Sequence, residues 1–265
     1  MQQATDFREE SLTLKALIKD LDDAAFEAVT QFKGWTINDV FRHLHFWNKA
    51  VMVASQGEEA FGGFFKGVGA HMAKGGLLPE YEKRYLEGLS GCALRSVWSD
   101  LVDETADAYA AMDPSARVPW AGPSMSARSS ISARQMETWA HGQEVFDALG
   151  AEREEHDRIR NIVVLGINTF GWTFKVRNEV PPEPMPYVEL IAPSGELWTY
   201  GDPQEDNLIR GAAVDFARVV TQTRNVADTA LTVIGGPAAL WMSKAQCFAG
   251  AANPPPAKGS RFKVA

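Results

Sequence analysis

A helical domain followed by a smaller α+β domain is the fold class the sequence predicts, and three observations carry it. Up to about residue 180 the apolar residues recur at helical spacing in long segments. At 181–186 a run rich in proline interrupts the chain, and beyond it the period shortens to that of strands. A length of 265 residues, 45% hydrophobic and 23% charged, is that of an ordinary globular chain with room for two modest domains.

Five principal helices are expected in the first domain, residues 1–180. The first covers about 8–30 through Leu12, Leu14, Leu17, Ile18, Leu21 and Phe26, with a break near Asp22-Asp23. The second runs about 36–56 after the breaker Gly34. Thr36 is its N-cap, and Asp39 stands three residues on, where a capping-box carboxylate reaches back to the free amides of the first turn. Residues 57–78, glycine-rich (Gly62, Gly63, Gly67, Gly69, Gly75, Gly76) around Phe61, Phe64 and Phe65, read as a short helix with flexible edges or a mobile flap. The third helix covers about 92–112 and stops at Asp113-Pro114, and Val118 to Pro123 is a loop. The fourth runs from Ser124–Ser126 to Leu149, with Gly150 as C-cap, and the fifth covers about 153–178.

The linker at 181–186 should be stiff and extended. In the second domain, 187–265, Tyr187 to Ile191 and Glu196 to Tyr200 form a hairpin through Pro193-Ser194-Gly195. A strand near Asn207–Arg210, a helix over Ala212–Thr221, a strand at Ala230–Ile234 and a helix at about 238–248 follow. The tail, Asn253 to Pro256 and then Lys258, Arg261 and Lys263, should be mobile.

Composition also excludes function classes. A net charge of −8 at pH 7 lacks the basic excess that draws proteins to phosphate backbones, so no nucleic-acid partner is expected. The polar, acidic start lacks the basic n-region and apolar run of a secretory signal, and no stretch reaches about 18 apolar residues, so no membrane partner is expected. Cys92 and Cys247, far apart and in no metal-like spacing, suit a reducing compartment. A cytoplasmic location follows.

Chemistry concentrates on a few of the five histidines. Glu137 and His141, four apart on one helix, stand one turn apart on one face, close enough to share an ion. His43, on the second helix with Asp39 and Trp47 on its own face, is the best third ligand; His45, about 200° round that helix, points away. Two histidines and a carboxylate from two facing helices leave a coordination position open. Zinc fits these borderline donors, and Fe2+, Ni2+ and Mn2+ use the same set.

The residues flanking these positions carry a resemblance. Trp35-Thr36-Ile37-Asn38-Asp39-Val40-Phe41-Arg42-His43-Leu44-His45-Phe46-Trp47 is similar to the "W-T, D-V, H-L, W" signature of the mycothiol-dependent maleylpyruvate isomerase family, among the DinB-like metal-binding bundles. Val118-Pro119-Trp120, then Ala133 to Gly142 with Arg134, Glu137, Trp139 and His141, resembles that family's second signature. The resemblance covers about 8–178 and continues more faintly through Gly195 to Trp198, Ile209-Arg210-Gly211 and the Trp241 helix, similar to a sterol-carrier-like α+β domain. The layout is similar to an uncharacterised branch sometimes labelled "wyosine base formation", a name implying tRNA that the net charge opposes.

The resemblance implies His43, Glu137 and His141 as metal ligands with a water completing the shell. It also implies a low-molecular-weight thiol whose sulfur the metal activates for addition to an unsaturated acid. The bulky insert at 57–90 and the lack of an arginine that matches the family's catalytic one leave the substrate open. Trp47 and Trp139 are candidate pocket walls, although aromatics at helical spacing are more often core. Glu144, three beyond His141, is a candidate base; Arg134 and Arg210 are candidate anchors for a substrate carboxylate. His71, among glycines, is either a lid residue or an exposed histidine. The function expected is a thiol-dependent isomerase or transferase acting on a small molecule. A metal-dependent hydrolase and a non-catalytic metal- or ligand-binding module, dimerising through its bundle, are the alternatives, and a homodimer is compatible with each.

Overall fold

The computed structural model describes residues 1–265 as two compact units, Met1–Ala148 and Leu149–Ala265. The division falls ahead of the proline-rich stretch where the sequence places it. The helical segment between the two belongs with the second unit, because it packs on that unit's own helices.

The first unit is a helical bundle: α1 (Gln2–Ile18), α2 (Ile37–Ala54), α3 (Glu58–Met72), α4 (Leu78–Tyr85), α5 (Gly91–Ala110) and α6 (Ala127–Ala148). A two-residue ribbon, β1 (Arg117–Val118) with β2 (Met125–Ser126), leads into α6. α1 lies along α5 and α6, while α2 packs on α5, α6, α3 and α4. Their contact is apolar: Phe7 and Leu14 from α1, Phe41 and Leu44 from α2, Trp98 from α5, and Ile131 and Trp139 from α6 are all buried. The ring of Trp98 meets Phe41 edge-on at 4.9 Å, a preferred aromatic geometry.

Two helix starts are set by named side chains. At α2 the capping box forms: Thr36 Oγ1 accepts from the Asp39 amide at 3.2 Å, and Asp39 Oδ2 accepts from the Thr36 amide at 3.0 Å. At α5 no cap comes from Ser90, and the free amides are satisfied from outside. Gly91 N donates to Asn38 Oδ1 at 2.8 Å and Cys92 N to Asp23 Oδ1 at 2.7 Å.

Several expectations are corrected. α1 begins at Gln2 and ends at Ile18; Phe26 sits in a separate short turn, where Asp22 Oδ1 takes the Ala25 amide that a continuous helix would use. Within 57–78 the helix is α3, Glu58–Met72, with turns at its edges, and a second helix not expected from the sequence, α4, follows from Leu78. Gly67 is what lets them meet: a Cβ there would lie 2.2 Å from the Tyr81 hydroxyl. The expected helix at 153–178 is two short ones, α7 (Arg160–Asn168) and α8 (Phe170–Lys175), parted at Thr169, whose hydroxyl donates to Leu165 O at 2.7 Å.

In the second unit β3 (Tyr187–Ile191), β4 (Leu197–Tyr200), β5 (Leu208–Ala212) and β6 (Thr232–Ile234) form one sheet in the order β4-β3-β5-β6. β3 is antiparallel to β4 through the expected hairpin and parallel to β5, and β5 is antiparallel to β6. α9 (Ala213–Val220) covers the face that buries Val188, Leu190 and Ile209. α10 (Gly236–Met242) is shorter than expected and places Trp241 against Phe216 at 5.7 Å.

The tail expected to be mobile is tied down instead. Asn253 N donates to Gln246 Oε1 at 2.9 Å, Arg177 Nη2 to Asn253 O at 2.7 Å and Asn225 Nδ2 to Pro256 O at 2.8 Å. Side-chain donors also meet proline carbonyls here, Asn253 Nδ2 that of Pro254 at 3.2 Å and Asn225 Nδ2 that of Pro256. Cys92 and Cys247 form no disulfide, and no helix is long and apolar enough to cross a membrane.

Candidate metal centre

The centre is built within the first unit. The Thr36 cap starts α2 two turns before His43, and α6 presents Glu137 and His141 one turn apart. Before α2, Thr30 N bonds to Trp35 O at 2.8 Å and Trp35 N to Phe32 O at 2.9 Å. That tight loop lays the Trp35 ring on His141, 5.6 Å away and within 4° of parallel, and sets Phe32 edge-on to the same imidazole at 5.0 Å.

The donor atoms converge. Glu137 Oε2 lies 3.3 Å from His141 Nε2 and 3.7 Å from His43 Nε2, and one donor atom from each residue falls within 4.8 Å of the others. A tetrahedral ion with bonds of about 2.0–2.1 Å holds its ligand atoms about 3.3 Å apart, so the Glu137–His141 pair already has that spacing and His43 would close in to complete the set. His43 and His141 are each 8% exposed, and Glu137 is partly exposed.

The other nitrogen of His43 is engaged by a residue the sequence did not single out. His43 Nδ1 lies 2.8 Å from Glu82 Oε1, and the Trp47 indole N–H donates to the same oxygen at 3.1 Å. Glu82 is fully buried on α4. Only the fold brings it 39 positions back to His43, and nothing in the local pattern distinguishes it from its neighbour Glu80.

Electrostatics follow from these contacts. Burial acts to lower the His43 pKa, but Glu82 and Glu137 outweigh it and raise it to about 9. Burial acts to raise Glu137, yet hydrogen bonds from His141 and His43 hold it well below the usual carboxylate range. His141 is pushed down, by burial and then by the charge of His43 against the pull of Glu137. Without an ion the site therefore holds a charged His43–Glu137 pair beside a neutral His141.

The remaining candidates fall in several places. His45 stays outside the cluster, its Nδ1 buried without a partner and its pKa lowered to about 4 by burial and Lys49. Trp47 stands 6.1 Å from His43 and 5.3 Å from Trp120, which packs in turn on Phe61 of α3. Trp139 is fully buried about 200° round α6 from both Glu137 and His141, which makes it core and not a wall of this site. Glu144 is buried one turn past His141.

Arg134 is 2% exposed and directs its guanidinium inward, Nε to Asn48 Oδ1 at 3.1 Å and Nη2 to Leu44 O at 3.5 Å. Burial lowers its pKa to about 10 against the opposing pull of Glu137 and Glu82. Arg210 pairs with Glu189 at 2.6 Å in the second unit. His71 engages Leu77 O at 3.0 Å across the α3–α4 turn.

Comparison with known proteins bears on the whole chain. Two crystal structures of the mycothiol-dependent maleylpyruvate isomerase, one of a histidine-to-alanine mutant, superpose with a TM-score of 0.54 at 18% identity. They match 82% of this chain and 87% of theirs, so the likeness is one of fold. Uncharacterized proteins from two strains of Mycobacterium tuberculosis are 34% identical over 254 residues, 96% of this chain and 96% of each of them. The family model described as the mycothiol maleylpyruvate isomerase N-terminal domain matches residues 7–146, a span that holds Thr36, His43, Glu82, Glu137 and His141 and more than half of the chain. With both signature segments inside that match, the chain belongs to the mycothiol maleylpyruvate isomerase N-terminal domain family.

Proposed function

We propose that this protein is a divalent-metal-dependent enzyme, a thiol-dependent isomerase or transferase acting on a small unsaturated or carboxylate substrate. The observation that carries the reading is the convergence of donor atoms from His43, Glu137 and His141 within 4.8 Å of one another, with Glu137 Oε2 3.3 Å from His141 Nε2 and 3.7 Å from His43 Nε2. Membership of a family whose name refers to a mycothiol-linked isomerase supplies the reaction class and the low-molecular-weight thiol.

His43, Glu137 and His141 would hold the ion, with zinc the first choice for two imidazoles and a carboxylate and Fe2+, Ni2+ and Mn2+ sharing that preference less strongly. When bound, such an ion supplies Lewis acidity that lowers the pKa of a thiol or water at the remaining position. The protein's own part is to keep the donors in place and the surroundings apolar. Trp35 and Phe32 cover one side of His141, and Trp47 stands beside His43. With both imidazoles buried beneath these rings, the electrostatics around them are stronger than at an exposed site. Glu137 brings a negative charge to the ion, and Arg134 keeps a buried positive charge one turn away on α6.

The test is elemental analysis of untagged protein after zinc loading, beside His43→Ala, Glu137→Ala, His141→Ala and His45→Ala. The expected result is about one ion per chain in the parent and in His45→Ala, and loss in the other three. Cobalt-substituted protein should then change its visible spectrum on addition of a small thiol, which reads the open position directly. No ion in the loaded parent, or full retention in the three ligand variants, would overturn the reading. An ion blind to every thiol would favour the binding module.

A further inference from the structure

α4 reverses the usual logic of a surface helix. Such a helix normally buries an apolar stripe, but of the eight residues of α4 the buried one is a carboxylate, Glu82, at 0% exposure. Its Oε2 has no hydrogen-bond partner, and both of its bonds fall on Oε1, from His43 Nδ1 at 2.8 Å and Trp47 Nε1 at 3.1 Å. An ordinary packing role would be served better by leucine, since a buried carboxylate is costly unless something it does requires it.

We propose that Glu82 is the positioning residue of the metal centre, holding His43 as the Nδ1–H tautomer so that Nε2 offers its lone pair toward Glu137 and His141. This rests on the metal-dependent reading above and extends it to a residue outside the ligand set. An imidazole has two nitrogens, and the partner of one decides which other is free to bind. Here Nδ1 faces Glu82 while Nε2 lies 3.7 Å from Glu137 Oε2. Because Glu82 Oε1 also takes the Trp47 indole N–H, one oxygen sets both the ligand and the aromatic ring beside it. The consequence is coupling: an ion held by His43 reinforces the contact that pins α4 to α2.

The experiment measures zinc affinity of the full chain by competition with a chromophoric chelator, for the parent, Glu82→Gln and Glu82→Ala. Glutamine keeps a carbonyl acceptor without the charge. Affinity should fall by about 10–100-fold in Glu82→Ala, with Glu82→Gln between it and the parent. Nitrogen NMR of the zinc-loaded chains gives a reading that looser packing would not produce: a slowly exchanging His43 Nδ1–H in the parent, lost in Glu82→Ala. Hydrogen exchange of residues 78–85 should slow on zinc loading in the parent and not in Glu82→Ala. Parent-like affinity and tautomer in Glu82→Ala would overturn the proposal while leaving the metal centre standing. If Glu82→Ala does not fold, unchanged affinity in Glu82→Gln together with an Nε2–H tautomer in the parent does the same. A parent that binds no zinc removes the metal reading, and this proposal with it.

Discussion

Replacing Thr36 with alanine isolates the local determinant of the helix that carries His43. The hydroxyl makes two contacts: Oγ1 accepts from the Asp39 amide at 3.2 Å and donates to Asp39 Oδ2 at 2.9 Å. Thr36→Ala removes both but leaves the return bond from the residue 36 amide to Asp39 Oδ2, and Arg42 still bonds Asp39 Oδ1 at 3.1 Å. Half of the capping box therefore survives, and the expected loss is about 1 kcal/mol within a cap range of about 0.5–2. For a unit of this size that corresponds to a fall of about 2–4 °C in Tm. Thr36→Ser, which keeps the oxygen, should recover most of it. The assay is thermal and urea unfolding followed by far-ultraviolet circular dichroism, with zinc affinity measured in parallel. Zinc affinity should hold, because His43 lies two turns inside α2 and is positioned by Glu82 rather than by the helix end. Equal stability of Thr36→Ala and parent would refute the capping argument; loss of zinc binding at unchanged stability would refute the separation of cap from site.

Two further outcomes follow from contacts elsewhere. Gly166→Ala in α7 gains helix propensity of about 1 kcal/mol, but its Cβ would lie 2.9 Å from Val220 Cγ2 and 3.0 Å from Phe216 Cε1, both on buried side chains of α9. Overpacking of about 1–3 kcal/mol should win, so urea unfolding is expected to show net destabilisation, and a more stable variant would show that α9 gives way. Asp23→Ala removes the acceptor of the Cys92 amide at the start of α5; that amide holds the Asp23 carboxyl below its ordinary value of 3.8. A depressed folded-state pKa contributes stability above the unfolded value and loses it as pH falls through the folded one. The variant should thus be less stable than the parent at neutral pH, with the gap closing below pH 3.8, and a gap that persists in acid would reject the assignment.

How much of this was legible in the sequence depends on the range of each contact. The cap at Thr36, the i,i+4 pair of Glu137 and His141, and the hairpin at Pro193-Ser194-Gly195 are local, so spacing alone reveals them. His43 was reachable because only one face of α2 can meet α6, and the flanking signature named the same residue. Glu82 was not, since its meaning comes from a contact between α4 and α2 that nothing in 78–85 announces. The break at Thr169 and the anchoring of Asn253 were missed for a related reason: side-chain bonds to the backbone decide both, and periodicity does not register them.

The buried charges around the centre bear on what the open position accepts. Glu82 and Glu137 face two cations, Arg134 and a His43 that keeps its proton up to about pH 9. In that state these four charges balance one another, which offsets the cost of burying them together. On the proposed reading a divalent ion takes the place of the His43 proton, because only the neutral imidazole can ligate. The exchange replaces one positive charge with two and leaves this group of residues one positive charge in excess. A neutral fourth partner does not relieve that excess, whereas a thiol that surrenders its proton does. On that reading these four groups would favour an acidic small molecule or a thiol at the open position over an uncharged ligand, Glu82 and Arg134 entering the balance alongside His43 and Glu137.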